Sequence, residues 1–450
     1  MPSTHRSSWR YRIVILLTVL GLLAAACGNA SDKPAASPST SPSGTAGSGA
    51  PVPGVTSDEI KFSAIGTNSN NPLGTCVLDC YAAGIKAYFD YRNSQGGIDG
   101  RKLVLSKQLD DELSKNQEKA LEVITANDTF ATFSAAQLAS GWANLADAGI
   151  PTYVWAINPA QMTGKPQIFG NREVTCIECT RRSDAYAAKL AGATKVATLG
   201  YGVSDNSKQC AESSAQSIKD YSSDIGGAEA VYTNADLAFG LPNGIAPEVT
   251  AMKDAGVDFI IGCIDLNGMK TLAQELQRQG MENVTLSHTN SYDQKFISEG
   301  AGIFDGDYVS ANFLPFESSG NEMLDAYKEW MGKNGSELSE IAMVGWINAD
   351  TAYEGIKAAG PNFDRQSVID ATNKITDFTA GGLVPPIDWS RQHEAPTQDD
   401  PGTHGPKLEC FAFVKVQEGT FQLQGDAEKP WACWPGDTRD WSDPVPSSFS

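Results

Sequence analysis

Short apolar strands alternate with amphipathic helices along most of the chain from residue 58 onward. The segment EIKFSAI has the composition of a buried strand, and apolar residues then recur at helical spacing from Tyr81 to Phe89. The segment RKLVLSKQL alternates as a strand does, and Ser114 with Gln117 forms a capping-box pattern before the next helix. Repeated units of this kind predict parallel sheets with helices on both faces, joined by right-handed crossovers.

The same alternation of strands and helices begins again near residue 178, with strands at KVATLGY, DFIIGCI and NVTLSH and helices between them. Two separate runs favour an α/β fold with two doubly wound parallel-sheet lobes rather than one core. Further helices are predicted at GNEMLDAYKEWMGKNG and IAMVGWINADTAYEGIKAAG, and the pattern becomes strand-like beyond residue 400.

The N-terminal segment, residues 1–26, has the pattern of an export signal peptide, in which arginines precede an apolar run and three alanines. The apolar run is shorter than the roughly 20 residues that span a bilayer, so a retained membrane helix is not expected. Cys27 follows as the lipidated cysteine of a bacterial lipobox does, although Ala24 stands where that motif usually has leucine. An ordinary secretory signal is the alternative.

Residues 27–54 are rich in Ser, Pro, Gly and Ala and predict a disordered tether. About 27 flexible residues have an r.m.s. reach of roughly 30 Å. The predicted location is therefore extracytoplasmic, with a lipid anchor in the outer face of the cytoplasmic membrane.

The chain is strongly acidic, with 54 Asp and Glu against 34 Lys and Arg and a net charge of −20. Removal of the signal peptide with its three arginines would change the charge to −23. A body this acidic is a poor partner for nucleic acid or for direct adsorption to anionic lipid. We therefore expect no nucleic-acid partner, and contact with the membrane only through the lipid anchor.

Of the nine cysteines, eight remain after Cys27, an even number in an oxidising compartment. Their spacing predicts four local disulfides: Cys76–Cys80, Cys176–Cys179, Cys210–Cys263 and Cys410–Cys433. Crossed pairing among the first four of these cysteines stays open at this stage.

Motifs of catalysis are missing from the sequence. It contains no H-E-x-x-H helix, no G-x-S-x-G elbow and no G-x-x-x-x-G-K-[ST] loop. His393 and His404 lie in a polar loop that could bind a metal, but its Pro and Gly content favours an ordinary surface loop. We predict a non-enzyme without metal or cofactor; a cell-surface hydrolase is the alternative from another class.

Several stretches stand in the order found in one family: GGIDGRKLVL before the acidic pair Asp110-Asp111, then DAGVDFIIGC, then VGWINADTAYEGIKAAG. Together they resemble the solute-binding lipoproteins of branched-chain-amino-acid-type ABC importers, which have the type I periplasmic binding fold. The resemblance implies a hinge of three crossing strands, with one lobe formed by 55–172 plus 308–385 and the other by 173–307 plus 386–450. It also implies a small-molecule solute in the interlobe cleft and ABC transporter permease subunits as partners; a ligand sensor of the same fold is an alternative.

The resemblance also implies where the first lobe would hold a ligand. Amino-acid-binding relatives use a serine after the third strand and an A-x-T after the next, and this chain has Ser134 and Ala156-Ile157-Asn158 there. Gln137 lies in the same strand-end loop as Ser134, and Trp155 is a candidate apolar platform. Helix capping by Ser134 and Asn158, and a core position for Trp155, are the alternatives.

In the second lobe the candidates after strand ends are Tyr201, Asn206, Asp265 and Asn290. Relatives place an acid after the last of these strands to meet the ligand ammonium, but the segment SHTNSYD lacks it at the expected place. Asp265 is the candidate substitute, with a helix cap as the alternative. The sequence therefore leaves the solute open among an amino acid, an amide and a small carboxylate.

Overall fold

The computed structural model describes residues 51–289, 291–300 and 302–450. The predicted signal peptide, the lipidation site Cys27 and the predicted tether up to residue 50 lie outside these ranges. The end of the tether differs from the prediction, because the carbonyl of Gly54 already accepts a hydrogen bond from the backbone N–H of Lys61 at 2.8 Å. The folded body therefore begins a few residues before 55.

The first lobe is built on a parallel sheet. Its strands are β1 (Glu59–Gly66), β2 (Lys102–Asp110), β3 (Ala131–Ala135), β4 (Thr152–Val154) and β5 (Ile168–Gly170). They are ordered β2-β1-β3-β4-β5 with every pair parallel. The connecting helices are α1 (Leu78–Ser94), α2 (Asn116–Ala126), α3 (Trp142–Asp147) and α4 (Pro159–Met162).

The second lobe is built on a larger, mixed sheet. Its strands are β6 (Lys195–Tyr201), β7 (Glu229–Leu237), β8 (Phe259–Cys263), β9 (Thr285–His288), β10 (Tyr308–Ala311), β11 (Leu408–Gln417), β12 (Thr420–Gln424), β13 (Trp431–Pro435) and β14 (Val445–Ser447). The order is β14-β13-β11-β10-β9-β8-β6-β7, with β12 paired to β11. The helices of this lobe are α5 (Arg182–Ala191), α6 (Asp205–Asp220), α7 (Ala246–Ala255), α8 (Leu266–Arg278) and α9 (Gln294–Glu299), with a 3-10 turn at Ser222–Ile225.

Three further helices follow β10 in the chain: α10 (Glu322–Lys333), α11 (Glu340–Ala359) and α12 (Arg365–Thr372). They pack on the first lobe, where α11 lies against α1. The two helix backbones nearly touch: a Cβ on Gly84 would lie 1.8 Å from the carbonyl oxygen of Ala342, and a Cβ on Gly345 2.2 Å from that of Tyr81. Glycine is required at both positions because no side chain fits between the helices.

The two α/β lobes confirm the predicted fold class, with one difference in the second sheet. Strands β6 to β10 are parallel, whereas β11, β12, β13 and β14 are added in antiparallel pairs. Because β10 pairs with β9 and β11, residues 308–311 belong to the second lobe, which moves the predicted boundary at 308. The predicted capping box is wrong: α2 begins at Asn116, and its N-cap, Lys115, makes no side-chain capping bond.

Within the described residues, the chain passes between the two sheets in three crossing segments, residues 171–181, 312–313 and 392–407. The 3-10 turn Trp389–Arg391, just before the third segment, still packs on the first lobe, where the ring of Trp389 meets that of Phe169 edge-on at 5.4 Å. After β14 the chain reaches back, and the hydroxyl of Thr379 donates to the carbonyl oxygen of Ser450 at 2.8 Å.

The four disulfides pair as the spacing predicts. Cys176–Cys179 lies within the first crossing segment, and Cys410–Cys433 joins neighbouring positions of β11 and β13. Within the described part of the chain, no helix has the length and apolar character that a bilayer span requires.

Candidate ligand-binding cleft

A cavity of about 800 Å³ is lined by strand-end loops of both lobes and by the crossing segments. Parallel α/β sheets place their loops and helix N-termini at the carboxyl ends of the strands, which is where such folds bind ligands. The first lobe supplies Leu73, Thr75, Leu113, Gln137, Leu138, Trp155, Ile157 and Asn158, and the second lobe supplies Tyr201, Val203, Asp205, Asn206, Phe239, Asp265, Leu266, Thr289 and Asp293. The volume lies in the upper part of the roughly 300–1,000 Å³ range of small-molecule sites.

On the first-lobe wall, three of the residues predicted to bind the ligand line the cavity: Gln137, Trp155 and Asn158. The amide of Gln137 donates to Asn71 Oδ1 at 3.0 Å, which holds the loop after β3 against the loop after β1. Trp155 lines the cavity while most of its ring is buried in the core, so it combines the two roles considered for it. Asn158 precedes α4 but its side chain makes no capping bond.

Two predicted first-lobe residues do not face the cavity. Ser134 is fully buried, and its Oγ accepts a hydrogen bond from Trp142 Nε1 at 2.9 Å. The backbone N–H of Ala156 donates to Asn171 Oδ1 at 2.9 Å and is therefore occupied within the lobe. Both are corrections to the predicted site, because buried polar groups of the core use the donors and acceptors that the ligand was expected to meet.

On the second-lobe wall, Tyr201, Asn206 and Asp265 all line the cavity. One carboxylate oxygen of Asp265 caps α8 through the Gly268 N–H at 3.0 Å, and the other accepts from the Tyr201 hydroxyl at 2.6 Å. The helix-cap interpretation of Asp265 is thus correct, and its carboxylate is already partnered. The remaining candidate, Asn290, lies outside the described residues.

The lobes are joined across the cavity by direct hydrogen bonds, as in a closed cleft. The amide of Asn206 donates to the Ile157 carbonyl at 2.7 Å and to Asn158 Oδ1 at 3.0 Å. On another side, the Thr75 hydroxyl donates to Asp293 Oδ2 at 2.9 Å, and Asn267 donates to the Pro72 carbonyl at 3.2 Å.

Several charged residues of the cavity wall were not found by the sequence analysis, among them Arg172 and Glu340. Arg172 lies in the first crossing segment, and Glu340 is the first residue of α11, after the N-cap Ser339. Burial lowers the pKa of Arg172 to about 10, and burial raises the pKa of Glu340 to about 7 although Arg172 acts in the opposite direction. The sequence around Glu340 does not indicate a binding site, because an acid in the first turn of a capped helix is common.

The cavity continues along the crossing segments toward the second lobe's β11–β13 region, where Asp184, Glu409 and Arg439 line it. Charges there are largely paired, as Arg181 binds Asp184 at 2.8 Å and Arg182 binds Glu409 at 3.0 Å. Within residues 51–289, 291–300 and 302–450, no three His, Cys, Asp or Glu side chains lie close enough together to hold a metal ion.

Comparison with known proteins agrees with this architecture. The sequence profile of the family described as "Periplasmic binding protein" matches residues 74–420. No curated protein sequence matches the chain.

Solved structures share the fold. A branched-chain amino acid ABC transporter protein from Thermus thermophilus with bound valine has a TM-score of 0.65 at 15% identity, covering 83% of this chain and 97% of its own. A branched-chain amino acid transporter substrate-binding protein from Streptococcus pneumoniae in complex with isoleucine has 0.64 at 17% identity, covering 81% and 98%. A fatty acid ABC transporter substrate-binding protein from Thermomonospora curvata has 0.63 at 16% identity, covering 88% and 97%.

Proposed function

The chain belongs to the periplasmic binding protein family, and from this premise we propose that it captures a small solute between its lobes and delivers it to an ABC importer. The observation that carries the proposal is the cavity itself, which both lobes line and which interlobe hydrogen bonds close. We further propose that the protein works outside the cytoplasmic membrane, anchored through Cys27, and that it binds its solute without altering it.

Closure explains how such a protein reports that it is loaded. A solute that contacts both walls stabilises the closed form relative to the open one, because only the closed form offers both sets of contacts. The contacts of Asn206 with Ile157 and Asn158 exist only when the lobes meet. Permease subunits that recognise the closed surface would therefore receive loaded protein in preference to empty protein.

The predicted tether serves the same purpose. A body held to the membrane by a flexible segment stays at a high effective concentration near its transporter while it remains free to rotate. By their own descriptions, the structural neighbours named above are two branched-chain amino acid transporter proteins, with bound valine and with isoleucine, and one fatty acid transporter protein. This supports an organic solute with an apolar part.

The proposal is tested by thermal unfolding of the purified protein with single amino acids, amides and carboxylates. A compound at 100 times its Kd should stabilise the folded protein by about 2.7 kcal/mol, because it binds only the folded state. Asn206→Ala should weaken that compound by several-fold to tens-fold, since it removes two hydrogen bonds worth about 0.5–1.5 kcal/mol each. Asn283→Ala, at an exposed position of the same lobe, is the matched control and should bind as the wild type does.

The absence of any stabilising compound across a broad solute library would contradict the proposal. Steady turnover of an ester or amide by the purified protein would contradict it as well, in favour of the hydrolase alternative.

A further inference from the structure

The four disulfides of this protein differ in their access to solvent. In the pair Cys76–Cys80, Cys76 is exposed and Cys80 is half-buried. The other three disulfides each contain at least one buried cysteine: Cys176, Cys179, Cys263, Cys410 and Cys433. Exposed disulfides exchange readily with external thiols, whereas enclosed ones are protected. Cys76–Cys80 is therefore the disulfide most open to reduction.

This disulfide lies at the end of the loop between β1 and α1, residues 67–77. Cys76 comes directly before the N-cap of α1, Val77, and Cys80 lies in the first turn of the helix. The bond therefore fastens the end of the loop to the helix, with the two Cα atoms 5.6 Å apart. Thr75, the residue before Cys76, lines the cavity, so the disulfide borders the wall of the cleft.

The same loop makes two of the contacts between the lobes. The Thr75 hydroxyl donates to Asp293 Oδ2 at 2.9 Å, and the Asn267 amide donates to the Pro72 carbonyl at 3.2 Å. The loop approaches the second lobe so closely that a Cβ on Gly74 would lie 2.4 Å from Asn267 Oδ1. The disulfide is thus adjacent in the chain to contacts that exist only when the lobes meet.

Thr75 is held in place from two directions. On one side, Asn71 Nδ2 donates to the Thr75 carbonyl at 2.6 Å, and the amide of Gln137 donates to Asn71 Oδ1 at 3.0 Å. On the other side, the disulfide restrains the next residue, Cys76. A reduced loop has more conformations, and ordering them when the lobes meet costs free energy. Reduction should therefore disfavour the closed form relative to the open one.

We propose that Cys76–Cys80 is a site of thiol–disulfide exchange that controls closure of the cleft. An external dithiol opens the disulfide, which releases Thr75 from its position opposite Asp293 and weakens the hold of the closed lobes on a solute. Reoxidation restores the contact. This inference rests on the proposed function and adds a regulation of the same cleft, whatever solute the cleft holds.

The exchange needs no reactant besides the dithiol. A thiolate of the dithiol attacks the sulfur of Cys76, the S–S bond breaks, and Cys80 leaves as a thiolate that takes up a proton. The second thiol of the dithiol then attacks the dithiol's own sulfur in the mixed disulfide, which releases Cys76 and leaves the dithiol oxidised. Two electrons and two protons pass to the protein. Cys80 is the favoured leaving group, because the N-terminus of α1 stabilises a negative charge.

Thiol trapping of the folded protein tests the exchange without any solute. The protein is incubated with dithiothreitol in the absence of denaturant, blocked with N-ethylmaleimide at intervals, and digested for mass spectrometry. Cys76 and Cys80 should be labelled at least about tenfold faster than the cysteines of the other three disulfides, because their pair contains the exposed cysteine. The trapping also gives the conditions under which only this disulfide is open.

Calorimetric titration under those conditions tests the control of closure. The probe is the single amino acid, amide or carboxylate that most raises the melting temperature of the oxidised protein. Reduction should weaken its binding about two- to tenfold, the effect of one lost hydrogen bond. The variant with both Cys76→Ser and Cys80→Ser should be weakened equally, and dithiothreitol should change it no further.

Thr75→Val tests whether the effect passes through the contact with Asp293. This variant should bind the probe about two- to tenfold more weakly while its disulfide is intact, and reduction should then have little additional effect. Thr125→Val, at an exposed position of α2 in the same lobe, is the matched control. It should bind as the wild type does and respond to reduction as the wild type does.

Opening of another disulfide before Cys76–Cys80 would overturn the exchange site. Unchanged affinity in a protein whose Cys76 and Cys80 are both labelled would overturn its control of closure, and so would an equal response to reduction in Thr75→Val and the wild type. In each case the protein still binds a solute, so the proposed function survives. That function fails only if no compound of the library binds in either redox state.

Discussion

Helix α11 carries two acidic side chains that are withdrawn from solvent to different degrees: Glu340 in its first turn is half-buried, and Asp350 in its middle is buried. Burial raises the pKa of both carboxyls, that of Glu340 to about 7 and that of Asp350 to about 6. Asp350 is enclosed by partners from α1: Arg92 Nη2 lies 3.2 Å from its Oδ1, and the Tyr88 hydroxyl donates to the same oxygen. Glu340 faces the cavity and, within the described residues, has no ion-pair partner.

The difference shows that desolvation alone does not identify a binding group. Burial raises the pKa of both acids. Asp350, however, is paired within the fold with Arg92 and Tyr88, whereas Glu340 faces the cavity. The partner set, rather than the pKa, separates a structural acid from a candidate binding acid.

The largest effect on the free energy of unfolding is expected for Asp350, the acid that is paired within the fold. Asp350→Ala leaves Arg92 without its buried partner and removes an acceptor from Tyr88, so the free energy of unfolding should fall by about 3–5 kcal/mol. Urea unfolding of the unliganded protein measures it. Glu354→Ala is the control on the same helix, since Glu354 is partly exposed and 3.9 Å from Arg92, and it should cost at most about 1 kcal/mol. A loss below 1 kcal/mol for Asp350→Ala would remove the distinction between the two acids.

An intermediate effect is expected where the helix passes α1. In Gly345→Ala the new methyl group would meet the backbone carbonyl of Tyr81, so the helices must separate at a cost of about 1–3 kcal/mol. Gly332→Ala on α10 is the matched control, because nothing lies within 4 Å of the added Cβ. The control should gain up to about 1 kcal/mol from helix propensity. Equal stability changes for the two variants would show that α11 does not pack against α1 at Gly345 as closely as the structure indicates.

The smallest effect on the free energy of unfolding is expected for Glu340, the acid at the cavity. Its replacement should stabilise the protein at high pH instead of destabilising it. The folded-state pKa of Glu340 lies above its ordinary value of 4.5, so the folded protein holds more protons between about pH 4.5 and 7. Stability that depends on this group is therefore present below pH 4.5 and declines as pH rises toward 7. At pH 8, Glu340→Gln should be more stable than the wild type by about 1 kcal/mol in the absence of ligand. This is a fraction of the roughly 3 kcal/mol that the full pKa shift would give, because the half-buried Glu340 keeps part of its hydration. A clear loss of stability at pH 5 and pH 8 alike would mean that Glu340 has a structural partner.

Much of the fold could be predicted from local pattern. Strand β1 and helix α1 were predicted where they occur because alternation and helical spacing report which side chains face a core. The four disulfides were also predicted, since short spacing and neighbouring strand ends bring those cysteines together. The antiparallel additions to the second sheet were not, because pairing partners distant in sequence leave no local periodicity.

The site was predicted only in part. Strand-end position correctly brought Gln137, Asn158 and Tyr201 to the cavity, because parallel strands end at one edge of a sheet. It failed for Ser134, whose hydroxyl is the acceptor that the buried indole of Trp142 requires. Position along a strand is local, whereas the direction of a polar side chain depends on which buried group needs it.

The sequence by itself determined the layered α/β elements and the strand-end loops that form the cleft, and it favoured the local disulfide pairs, because each depends on residues close together in the chain or on regular spacing. Only the tertiary structure decided that Arg172 and Glu340 share one cavity and that neither has an ion-pair partner among the described residues. The crossing of the chain between the lobes brings those two residues to one cavity, and a charge is costly or satisfied only according to what surrounds it in space.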